Sequence, residues 1–113
     1  MQDSEPFLVG GEWRTSPAVL DVCDPYLGRT LGSVCLAGRE DCNDALIAAE
    51  AGFIQMRALP AYRRSECLMA MADYLEEHTD EAAELIISEA GKPLRKAVGE
   101  VMRSADTLRV SGE

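Results

Sequence analysis

The chain has 113 residues, 47% of them hydrophobic, which suits one small packed unit and is too apolar for a disordered chain. Its formal net charge is −9, with 3 basic and 9 acidic residues up to Met56 and 8 basic and 11 acidic ones from Arg57 on. Neither part is net basic, which argues against an electrostatic grip on nucleic acid or on an anionic membrane. Apolar stretches are only a few residues long, too short to span a bilayer. The acidic start, Met1 to Pro6, lacks the charged and apolar regions of a signal peptide, so a cytoplasmic protein is expected.

The first part of the chain reads as short strands. Phe7-Leu8-Val9 and Glu12-Trp13 flank Gly10-Gly11, a pair suited to a hairpin turn because glycine reaches positive φ without a steric penalty. The same glycines do not make a phosphate loop, since no G-x-G-x-x-G pattern and no helix follow. Val19 to Cys23 is a third strand, Asp24-Pro25-Tyr26-Leu27-Gly28 a turn, and Leu31 to Leu36 a strand that should return antiparallel to it.

From Glu40 the apolar period changes from two to about 3.6. A first helix stops before Pro60 and places Cys42, Ala45, Leu46, Ala49, Phe53 and Met56 on one face. A second, from Ala61 to His78, carries Cys67, Leu68, Met71, Ala72 and Leu75. Thr79 is placed to cap a third, with Asp80 and Glu81 in its first turn and Ala82, Ala83, Ile86, Ile87 and Ala90 on its apolar side. Gly91 ends it, and Pro93 opens a fourth helix bearing Leu94, Ala97, Val98, Val101, Ala105 and Leu108. These stripes are read as packing faces. With no repeat and only short linkers, residues 1–113 are expected to form a single α+β unit of short antiparallel strands and about four amphipathic helices.

The residues read alone offer no catalytic constellation. Cys23, Cys35, Cys42 and Cys67 contain no C-x-x-C pair and are expected to be buried, reduced thiols. His78 sits in an acidic stretch without a serine partner and reads as a solvated helix end. The acidic residues between Glu76 and Glu89 lack the spacing of a calcium loop. The basic series Lys92, Arg95, Lys96, Arg103 and Arg109 is interrupted by Glu100 and Asp106, which weakens any phosphate site.

The order of these fragments resembles the aldehyde dehydrogenase superfamily. Leu8-Val9-Gly10-Gly11-Glu12-Trp13 is similar to its opening hairpin, and Asp24-Pro25-Tyr26-Leu27-Gly28-Arg29 to its Asn-Pro-x-x-Gly-Glu turn. Glu40-Asp41 through Phe53, and Leu59-Pro60 with Arg64 and Leu68, resemble its first two helices. Glu89-Ala90-Gly91-Lys92-Pro93-Leu94, followed by Ala97, Glu100-Val101 and Ala105 to Arg109, is the sharpest match. Met56 stands where these enzymes usually have tryptophan, and Asp24 where they have asparagine. The resemblance spans residues 7 to 110 and implies the N-terminal part of an α/β, Rossmann-like cofactor domain.

What the resemblance implies is NAD(P)⁺-dependent oxidation of an aldehyde to a carboxylic acid by the full-length enzyme. Its nucleophilic cysteine, its glutamate and its cofactor glycines lie in segments that this sequence does not contain. No catalytic or cofactor-binding residue is therefore expected here, and NAD or NADP is expected only in the full-length enzyme. One family feature does map onto the chain. A structural monovalent cation would be held by the carbonyls of Val22 and Cys23 and the carboxylate of Glu89. The expected partners are the rest of the parent enzyme and further copies in a homo-oligomer. The alternative is an acidic helical interaction module without catalytic activity.

Overall fold

In the computed structural model, residues 4–113 are described; Met1 to Asp3, part of the acidic N-terminal stretch, lie outside them. Strands β1 (Phe7–Val9) and β2 (Glu12–Arg14) pair antiparallel, Leu8 opposite Trp13. Their turn places Gly10 at φ +59° and Gly11 at +87°, the conformation for which glycine was expected. Strands β3 (Val19–Cys23) and β4 (Thr30–Cys35) form a second antiparallel pair whose register shifts between Val22 and Cys23. Glu5 adds a parallel bridge to β4, donating its N–H to the Ser33 carbonyl and accepting that of Cys35.

Between β3 and β4, the Asp24 carboxylate accepts N–H bonds from Tyr26 (2.8 Å) and Leu27 (2.9 Å), and Gly28 closes the turn at φ +68°. These bonds hold the Asp24 carboxyl below its usual range, those from Leu27 and then Tyr26 contributing most. An acceptor oxygen is what the turn requires, so aspartate serves where the resembling family has asparagine.

Contacts gather into two compact units, divided after Ala58. In the first, helix α1 (Arg39–Ala58) lies against the β1–β2 hairpin. The face expected to be covered, with Leu46, Phe53 and Met56, is not the one that meets the hairpin. Asp41, Ala45, Ala48 and Gly52 are the half-buried positions, whereas Leu46, Phe53 and Ile54 are 62–70% exposed. Closeness explains the choice, because a Cβ on Gly10 would lie 3.1 Å from that of Ala48. Only small residues fit such an approach. Arg14 on β2 adds ion pairs to Asp41 (3.2 Å) and Asp44 (2.7 Å) on α1.

The second unit contains α2 (Ala61–Glu77), α3 (Thr79–Ala90) and α4 (Leu94–Gly112). The Pro60 carbonyl accepts the Arg63 and Arg64 N–H groups at the start of α2. Helix α4 runs back along α2, with Gly112 beside Ser65 and Leu68, and Arg109 reaching Asp73 (2.8 Å) and Glu76 (2.7 Å). Ala72, Ala83, Ala97, Val101 and Ala105 are buried; Leu75, Ala82, Ile86, Ile87 and Val98 pack around Ala83, Ala97 and Val101. The α3 and α4 stripes agree with the expected faces except at Ala90 and Leu94, which are exposed. On α2, Cys67 and Met71 also point outward, and Ser65 and Met69 take part in the face instead.

One residue, His78, separates α2 from α3. It is half-buried rather than a solvated end: its ring stacks on Tyr74 at 4.0 Å, with Nδ1 2.8 Å from the Tyr74 carbonyl oxygen. Thr79 does not cap α3 as expected. Its hydroxyl donates backwards, to the Glu76 (2.9 Å) and Leu75 (3.2 Å) carbonyls left free at the end of α2. Gly91 ends α3 at φ +66°, its N–H bonded to Ile87. No helix among the described residues is long and apolar enough to cross a membrane.

Candidate functional site

The α3–α4 connection and the start of α4 bring several charged side chains together. The left-handed turn at Gly91 and the fixed φ of Pro93 set Lys92 at the mouth of α4. Its ammonium meets the Glu100 carboxylate at 2.5 Å, with Arg103 at 3.9 Å on the same oxygen. Bonding to Lys92 is the chief reason the Glu100 carboxyl titrates below its usual range. Arg95 and Lys96 make no ion pair among the described residues, whose ion pairs involve other cations. Together with Pro93 and Gly99, these side chains line a depression of about 820 Å³ that is open to solvent.

Linear sequence hid this grouping by running five cations together. Arg109, the last, belongs to a different site and is locked by Glu76 and Asp73 on α2, whose carboxylates drive its pKa upward. The other four share one concavity, and Glu100, which had counted against them, is already engaged.

The residues expected to hold a cation fall in different units. Val22 is half-buried and Cys23 exposed at the register shift ending β3, while Glu89 is exposed in the last turn of α3. The Cys23 thiol lies 3.9 Å from the Thr30 hydroxyl. All four cysteines are free, but only Cys35 is buried; Cys23, Cys42 and Cys67 are exposed, against expectation. Cys42 and Cys67 are exposed because the helix faces that pack are rotated away from them.

The starts of the helices differ in what stands beside them. At α1 the Asp41 carboxylate accepts the Gly38 N–H at 2.8 Å, which holds its carboxyl below the usual range. Helix α3 opens on Asp80 and Glu81, while α2 and α4 follow Pro60 and Pro93. Elsewhere in the second unit, Ala70, Met71, Tyr74, Leu75 and Leu108 line an apolar groove of about 370 Å³.

The profile of the aldehyde dehydrogenase family matches residues 13–113, and the chain belongs to that family. It is 34% identical over 105 residues to 3-sulfolactaldehyde dehydrogenase of Priestia aryabhattai, covering 93% of this chain and 22% of that protein. It is 37% identical over 98 residues to the mitochondrial succinate-semialdehyde dehydrogenase of Rattus norvegicus, covering 87% and 19%. Among solved structures, the NADP-dependent glyceraldehyde-3-phosphate dehydrogenase of Bacillus halodurans C-125, complexed with NADP, superposes with a TM-score of 0.93. That match is 34% identical and covers 98% of this chain and 24% of the other. The chain thus spans about a fifth of the length of the curated relatives, and corresponds to the N-terminal part of the family's α/β enzymes.

Proposed function

We propose that this chain is the N-terminal structural segment of an NAD(P)⁺-dependent aldehyde dehydrogenase, both of its units belonging to one cofactor-binding domain. The family match over residues 13–113 carries this reading. The exposed apolar side chains of α1, among them Leu46, Ile47, Phe53 and Ile54, are surfaces for the rest of the enzyme or for a second copy.

By itself the chain supplies no group to the reaction. A dinucleotide pyrophosphate needs free N–H groups at a strand-to-helix turn. Among the described residues a strand runs into a helix only between β4 and α1, and there the Asp41 carboxylate holds the Gly38 N–H. We propose that catalysis and cofactor binding reside in downstream chain and that Val22, Cys23 and Glu89 serve a structural cation at most.

A split-enzyme assay tests this. The chain is mixed with an aldehyde dehydrogenase relative lacking its first fifth, and reduced cofactor is followed with succinate semialdehyde. Turnover should need both parts, and calorimetry should find no NAD⁺ or NADP⁺ binding to the chain alone. Cofactor binding by the chain alone, or a truncated relative that its addition never restores, would overturn the proposal. The interaction-module reading is favoured by the apolar groove on α2 and α4, and that reading predicts no restored turnover.

A further inference from the structure

We infer that the outward face of α1 pairs with the same face of a second copy of this chain, the two helices antiparallel about a two-fold axis between Phe53 and Ile54. The pairing follows from this chain's own surface and does not rest on the dehydrogenase reading. Helix α1 turns Asp41, Ala45, Ala48 and Gly52 towards the hairpin. At about 100° per residue, Leu46, Ile47, Phe53 and Ile54 gather on the opposite side, where they are 62–70% exposed. Leu46 and Phe53 stand two turns apart on one line, and Ile47 and Ile54 on the next, which is the repeat of a coiled-coil seam.

Glu50 and Arg57 decide which partner this seam takes. Both lie between its two apolar lines, and neither forms an ion pair among the described residues. Two turns of helix hold them about 10 Å apart, too far to meet within one chain. An antiparallel copy turned about the two-fold axis sets each Glu50 beside the other copy's Arg57, with Phe53 against Ile54 in the middle. A parallel copy would set Glu50 on Glu50 and Arg57 on Arg57, so the charges fix direction as well as register. Each contact arises twice and the two-fold closes, so association stops at a dimer. Each copy offers roughly 400 Å² of exposed apolar side chain, and the pair, at ~800 Å², has the size of a weak, transient interface. The charge of −9 on each copy adds long-range repulsion, which salt at ~0.15 M screens.

Sedimentation equilibrium of the full chain at ~0.15 M salt tests this. A monomer–dimer equilibrium with a Kd of ~0.1 mM is expected. Ile47→Asn and Ile54→Asn, at exposed positions, should each weaken it ~10-fold or more while helical circular dichroism stays unchanged. Glu50→Arg and Arg57→Glu should each weaken it ~10-fold, because each places like charges together on both sides of the axis. The double variant restores opposite charges there and should pair as the wild type does. Leu85→Ser, at a 58% exposed position on α3, should change nothing. A monomer at every concentration, assemblies larger than two, a dimer indifferent to either charge reversal, or a double variant that fails to pair would overturn the inference. No aldehyde or cofactor enters these measurements, so they and the split-enzyme assay fail independently.

Discussion

Val101 is 4% exposed and sits where α3 and α4 meet, against Ala83 and Ala97 with Ile86 and Ile87 beside them. Val101→Ala removes two buried carbon groups at ~0.8 kcal/mol each, and the incompletely filled space raises the loss to about 2 kcal/mol. A unit of this size holds ~3–8 kcal/mol in total, so a quarter or more of its stability rests on one side chain. The melting temperature should fall by roughly 10 °C. Val110, in the same helix but 70% exposed, provides the control: Val110→Ala should stay within about 0.5 kcal/mol. Urea titration followed by helical circular dichroism measures both. Equal losses at the two positions, or a loss at Val101 below ~0.5 kcal/mol, would refute the assignment of the core.

Gly91→Ala forces a left-handed φ of +66° on alanine and should cost ~1 kcal/mol in a thermal melt. Gly10→Ala should cost more, because its new Cβ also presses on Ala48; a smaller loss there would contradict the close approach of hairpin and helix. The lowered pKa of Asp24 means that its charge stabilises the fold above the unfolded value near ~4, and that this contribution disappears as pH falls through the folded value. Wild type should therefore lose stability relative to Asp24→Asn between about pH 5 and pH 2, and a pH-independent difference would exclude the charge effect. A chromogenic disulfide should react quickly with Cys23, Cys42 and Cys67 and slowly with Cys35; four equal rates would contradict the burial pattern.

Punctuation was legible in the sequence because its causes are local. Gly10-Gly11, Gly28 and Gly91 adopt positive φ, and Pro60 and Pro93 stand just before helices, as their own stereochemistry requires. Faces were less legible. A period of 3.6 shows that α1 has apolar sides, but the arc that meets the hairpin depends on how near Gly10 can come to Ala48. Large residues therefore lost that position to Ala45, Ala48 and Gly52, and Cys42 went outward with them. Thr79 shows a similar limit: a threonine before acidic residues signals a cap, but the carbonyls ending α2 lie close enough to claim its hydroxyl. The basic series was visible, but separating Arg109 from the four others required knowing that α2 passes beside it.

The alanines buried in the second unit have a thermal consequence. Heat capacity on unfolding scales with the apolar area newly exposed to water, and Ala72, Ala83, Ala97 and Ala105 each expose little. Helices held backbone to backbone by such small contacts melt with a shallow dependence on temperature, so stability varies gently between cold and warm conditions. That interior also has no slack for growth. An added methyl group at Ala83 or Ala97 would have to move a helix, so drift in size is confined to the outward-facing positions.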